Sequence, residues 1–169
     1  PAPESAESAG YRGNHGRTAL LLTEEDLSWM PSQMPQGLVA LNASPRSVLA
    51  SSSDIVTKFV ETAIDDGLQR LTSHYAAAGL PCAETALDDD ALVQWLVEGR
   101  MDEVVCAYAP MGPTRLRLRA LRQSLACKGI SLRMQMRDYD RLVWPHANRG
   151  FFQLGKRIPE FLDIMRGGQ

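Results

Sequence analysis

Long apolar runs are missing from this chain: nothing in its 169 residues approaches the roughly 20 consecutive apolar positions that span a bilayer. The first residues also lack the basic-then-apolar pattern of a secretion signal, so a cytoplasmic protein that meets no membrane is expected. Cysteine is scarce. Cys82, Cys106 and Cys127 are odd in number and separated by whole elements, which excludes a disulfide framework and a zinc set and leaves reduced, buried thiols as the expectation. The phosphate-binding Gly-x-Gly-x-x-Gly and Gly-x-x-x-x-Gly-Lys-Ser/Thr loops are absent, and so is the Gly-x-Ser-x-Gly nucleophile elbow. His15, His74 and His146 fall in a tail, a helix and a loop without evident partners. No residue of the chain is therefore assigned to catalysis, and none to a metal.

What is present suits a globular domain. Hydrophobic residues make up 44% and charged residues 22%, enough for one full core and too little chain for two comfortable ones. The net charge of −2 hides an asymmetry: residues 1–101 carry 6 Lys/Arg against 14 Asp/Glu, and residues 102–169 carry 12 against 6. Such a split suits either a basic face for a phosphate-bearing ligand or acidic partner, or two halves that neutralise each other.

The most structured stretch lies between Asp102 and Pro145. The apolar run 102–109 reads as a strand buried on both faces, closed by Pro110-Met111-Gly112-Pro113. From 114 to 128, Leu118, Leu121 and Leu125 recur on one helical stripe, with Gly129 where a left-handed C-terminal residue belongs. Residues 130–136 then alternate as a second strand. Strand, helix and strand make a right-handed parallel crossover.

Upstream, residues 1–16 are rich in Pro, Ser, Ala and Gly and read as a linker or flexible tail, which suggests that the chain adjoins something larger. Domain 17–169 follows. Its strands are expected at 18–22, 37–42 and, less regularly, 82–87. A turn or short helix is expected at 23–27, a long helix at 53–75 with Ile55, Phe59, Val60, Ile64, Leu68, Leu71 and Tyr75 on its buried face, and a helix at 91–98 capped by Asp88-Asp89-Asp90 and stopped by Gly99. Gly67 marks a bend in the long helix. An irregular connection over 138–148 precedes a terminal helix at 158–165. Five strands alternating with helices predict an α/β, three-layer sandwich with a Rossmann-like, mainly parallel sheet.

Three places could carry function. Tyr108, Pro110, Met111 and Gly112 occupy a strand-to-helix turn at the sheet's carboxyl edge, where such folds hold ligands, although two prolines remove donors from it. Arg115, Arg119 and Arg122 recur at helical spacing, so they could contact a phosphate backbone or simply solvate a helix face. The aromatic loop 144–152 could be a ligand lid, a docking surface or a satellite core. Glu24, Glu25 and Asp26 are acids of a first turn, a structural role.

The order of elements resembles the α/β domain of the DNA photolyase and cryptochrome family. The residues that carry the likeness are 20–27, Leu-Leu-Leu-Thr-Glu-Glu-Asp-Leu; the strand 103–110, Glu-Val-Val-Cys-Ala-Tyr-Ala-Pro, with its Arg-bearing helix; Gly129-Ile-Ser-Leu132; and Asp140-Arg-Leu-Val-Trp-Pro145. The resemblance implies a Rossmann-like domain that packs on a helical FAD-binding domain. That helical domain, and the residues by which it relays electrons and repairs DNA, have no counterpart in these residues. FAD and DNA would be met only through it, as a companion domain of the same or a partner chain. The family's antenna pigment, a folate or deazaflavin, would have its neighbours at Tyr108 to Gly112, where the usual acid of the folate-type site is replaced by Pro110-Met111-Gly112-Pro113. The alternatives are a small nucleotide-binding domain on the same turn and a DNA-contacting module on the arginines.

Overall fold

The structure, a computed structural model, describes residues 16–43 and 54–167. Residues 1–15 of the expected tail, and residues 44–53, lie outside the described residues. The described chain divides into two compact units, residues 16–135 and residues 136–167.

The first unit is built on four parallel strands, β1 (Thr18–Leu22), β2 (Gly37–Ala40), β3 (Glu103–Ala107) and β4 (Ser131–Gln135), in the order β2-β1-β3-β4. Alternation makes two cores out of one sheet. Ala19, Leu21, Val39, Val104, Cys106, Leu132 and Met134 meet α2 (Asp89–Glu98) and α3 (Pro113–Ala126) through Leu92, Leu96, Leu118, Leu121 and Leu125. Leu20, Leu22, Leu38, Ala40, Val105 and Ala107 meet α1 (Asp54–Tyr75) through Ile64, Leu68, Leu71 and Tyr75. Both faces of β1, β2 and β3 are apolar, so period-2 side chains satisfy two helix layers at once.

The expected fifth strand is reduced to two isolated parallel bridges on the outer edge of β2, Leu38 with Cys82 and Leu41 with Leu87. Leu38 N donates to Pro81 O, Ala83 N to Leu38 O, Leu87 N to Ala40 O and Asn42 N to Leu87 O. Between these bonds the chain bends at Glu84 and Thr85, which interrupts the ladder that a strand requires.

Helix ends follow local chemistry. Asp88 caps α2 by accepting from Ala91 N at 2.9 Å, as its acidic start predicts. At the other end Gly99 is right-handed and Arg100 takes the left-handed place, at φ 51°. Arg100 N donates to Val97 O and Met101 N to Leu96 O, the two bonds of a Schellman ending. Arg100→Gly is therefore expected to stabilise the chain by about 0.5–1 kcal/mol, since glycine adopts that conformation without side-chain strain. A thermal melt unchanged or lowered would contradict this. Gly129, at φ 76°, plays the same part after α3, as expected from sequence.

Gly67 lies within the unbroken helix α1. It is buried, and a Cβ there would stand 3.1 Å from Leu22 Cδ2 and 3.3 Å from Leu27 Cβ, so it sets how closely α1 lies on the end of β1. Tyr75 closes the same face, and its burial pushes the phenol above its ordinary value. The native state thus favours the protonated phenol. That contribution is complete below about pH 10 and is lost as pH rises past it, so urea midpoints should fall on the alkaline side, and less so for Tyr75→Phe.

The second unit is wholly helical. Where an irregular connection was expected, α4 (Asp138–Val143) leads into a 3-10 turn (Trp144–Arg149), then α5 (Phe151–Gly155) and α6 (Ile158–Gly167). Asp138 and Asp140 in the first turn of α4 favour its start. Phe161 is its one large side chain that is fully buried among the described residues, and His146 stacks on it at 5.5 Å. Arg157 lies over the same ring at 5.2 Å, donates to His146 Nδ1 at 2.6 Å, and forks onto both oxygens of Glu160 at 3.0 and 2.9 Å. Because a guanidinium only donates, His146 Nδ1 must be the acceptor. The guanidinium holds the Glu160 carboxyl below its ordinary value. Of the aromatic loop 144–152, His146 joins this cluster, whereas Trp144 and Phe152 are exposed.

Candidate functional site

A crossover helix in a parallel sheet begins at the strands' carboxyl edge. There the connection from β1 leads one way, to β2, whereas β3 and β4 lie on the other side. Counting the bridged segment, the order runs 82–87, β2, β1, β3, β4. The reversal falls between β1 and β3, the crevice in which open α/β sheets hold ligands.

The turn singled out from sequence stands on this crevice. Tyr108 N donates to Gln135 O at 2.9 Å, tying the end of β3 to β4. Pro110 is exposed, Met111 is 87% exposed, and Gly112 caps α3 at φ 131°, ψ −170°, a conformation reserved for glycine. Gly112→Ala should therefore cost about 1–3 kcal/mol although its Cβ would meet nothing within 4 Å. A denaturant midpoint equal to wild type would refute the strained turn.

Across the crevice, Glu24 follows β1 and its Oε1 accepts from the Thr114 hydroxyl at 2.9 Å, in the first turn of α3. A carboxylate of the protein itself already stands at the positive end of that helix. Pro113 supplies no amide donor there. Thr23, 1% exposed, has a hydroxyl with no partner among the described residues. Neither the link from Glu24 to Thr114, 90 residues apart, nor the burial of Thr23 has a sequence signal.

The three arginines expected as a stripe are separated by their surroundings. Arg115 is only 6% exposed; it donates to Ala109 O at 3.3 Å, contacts Met134 Sδ at 3.0 Å, and lies 4.9 Å from the Tyr108 ring centre. Arg119 is exposed, and Arg122 is half-buried with its Nε inside. They form no continuous exposed row, because the helix turns Arg115 toward the sheet. Tyr108 and Arg115, placed separately by sequence reasoning, are brought together.

Arg117, for which the sequence offers no such signal, is engaged on several sides. Its Nε donates to Asp89 Oδ1 at 2.7 Å, Nη1 to Asn42 O at 2.6 Å and Ala43 O at 3.3 Å, and Nη2 to Asn42 Oδ1 at 2.5 Å. It clasps the end of β2 and the start of α2 to α3.

Of the cysteines, Cys106 is buried as expected, Cys82 is partly buried, and Cys127, at the C-terminal cap of α3, is exposed. Among the described residues no group of three His, Cys, Asp or Glu could hold a metal ion, and no helix is long and apolar enough to cross a membrane.

Sheet and edge together define a parallel α/β protein. No protein-family model, no curated protein and no solved structure matches the chain.

Proposed function

We propose that this chain is a non-catalytic α/β domain of a flavoprotein related to DNA photolyases and cryptochromes, and that it docks a helical FAD-binding domain of the same or a partner chain. The order of elements carries the reading: a parallel sheet reversing between β1 and β3, with the Tyr108–Gly112 turn and an arginine-bearing helix at the reversal. In this reading segment 82–87 is the fifth strand of a three-layer sandwich. The companion holds FAD and meets DNA, an antenna folate or deazaflavin lies against Tyr108, Pro110, Met111 and Gly112, and the whole works in the cytoplasm. The test is to express the chain with its adjoining sequence and look for bound flavin and light-dependent repair of pyrimidine dimers. A colourless, inactive product would defeat it.

A second reading, a small nucleotide-binding domain, is favoured by the same reversal of strand order. Thermal shifts with ATP, AMP, FAD and folates separate the two. No response to any adenine nucleotide removes it. Binding to DNA through Arg115, Arg119 and Arg122 gains nothing from the burial of Arg115.

A further inference from the structure

Helix α1 is too long for the sheet it covers. Its 22 residues extend about 33 Å, whereas a strand of 5 residues extends about 17 Å. The helix departs from the carboxyl end of β2 and delivers the chain to segment 82–87, which enters beside Leu38. Its buried residues start only at Ile64, so its first turns overhang the carboxyl edge. Ile55 and Phe59, one turn apart, are 80% and 73% exposed, and Val56 beside them is also exposed. At 3.6 residues per turn the pair points roughly 170° away from the stripe formed by Ile64, Leu68, Leu71 and Tyr75. These apolar side chains therefore do not belong to the sheet's core.

Charge states what could cover them. From 104 to 137 the sequence holds seven cations and no carboxylate, but several of those cations are committed within the fold. Arg115 lies buried against Tyr108, Arg117 is bound to Asp89, and Arg133 to Glu103. Of the seven, Arg119, Lys128 and Arg137 stay exposed, the last two past the ends of α3 and β4, and the overhang and carboxyl edge of the sheet unit carry more exposed acids than cations. Asp54 and Glu61 on α1, Glu25 after β1, and Asp88 and Asp90 before and within α2 are exposed, against Lys58 and Arg119.

We infer that the overhang of α1 is a docking site for a protein surface with apolar side chains ringed by Lys and Arg, anchored on Ile55 and Phe59. It does not depend on the companion's holding flavin. A like-charged surface would face uncompensated repulsion on desolvation, and a nucleic acid would meet the wrong sign altogether.

The probes are two synthetic amphipathic helices with the same leucine face, one flanked by Lys and one by Glu, titrated by fluorescence anisotropy against the full chain. The Lys-flanked helix should bind, more weakly as salt rises, and about tenfold more weakly to the Ile55→Ser/Phe59→Ser variant, a loss typical of removing an interface anchor. The Glu-flanked helix should not bind. Both substitutions are at exposed positions, so an unchanged thermal melt certifies the variant's fold. Equal binding of both helices, binding of neither, or an undiminished response in the variant overturns the inference. So does self-association of the wild type that the variant abolishes, for then a second copy covers the patch.

Discussion

Phe161→Ala is expected to release the C-terminal helices while the sheet stays folded. Truncating a buried phenylalanine costs about 3–5 kcal/mol, and among the described residues this side chain is the only large one fully buried in 136–167. His146 and Arg157 both rest on its ring, so their contacts go with it. The two cores of the sheet contain no residue past Met134. Hydrogen exchange followed by mass spectrometry should therefore show α4 and α6 losing protection while β1 and β3 keep theirs. Retained protection over 158–167 would mean that something other than the Phe161 cluster holds those helices.

Arg117→Met should be the most damaging change on the surface of the sheet unit. Methionine keeps most of the apolar stem but leaves the carbonyls of Asn42 and Ala43 and the Asn42 side chain without their donor. Each partly buried acceptor left unmet costs about 1–3 kcal/mol. Asp89 is half exposed and is rehydrated cheaply, so the ion pair itself contributes little. We expect a total loss of about 2–4 kcal/mol and a melting temperature lower by roughly 5–12 °C. Arg119→Met, on the same helix but exposed, should change the melt by almost nothing. Equal effects of the two would remove the clasp from the account.

These contrasts show where sequence is informative. The strands at 18–22, 103–107 and 131–135 and the helix between the last two were legible because their periodicities are strong and the stops, Gly112-Pro113 and Gly129, have backbone conformations that favour those residues. The stretch at 82–87 was not, since its apolar residues suit a strand while the bend at Glu84 and Thr85 breaks the ladder. Sharing a helix with Ile64 and Leu68 suggests the buried face for Ile55 and Phe59, but their angular offset and the limited length of the sheet decide otherwise. The candidate turn at Tyr108–Gly112 could be located from the strand-to-helix punctuation. Its setting could not: the contacts of Glu24 with Thr114 and of Arg117 with Asn42 join residues 90 and 75 apart, and the same spacing of arginines along α3 suits a solvated row and an inward-turned guanidinium equally.

The register of β1 has a consequence during synthesis. Its partner on one side, β2, is made within 20 residues, but on the other side Thr18 pairs with Glu103, 85 residues later. Until that partner emerges from the ribosome, the chain's most apolar ribbon presents an unsatisfied flank to other nascent chains. Fragments ending before residue 103 should accordingly clump, and a holdase chaperone should engage this protein early and let go once β3 has zipped into place.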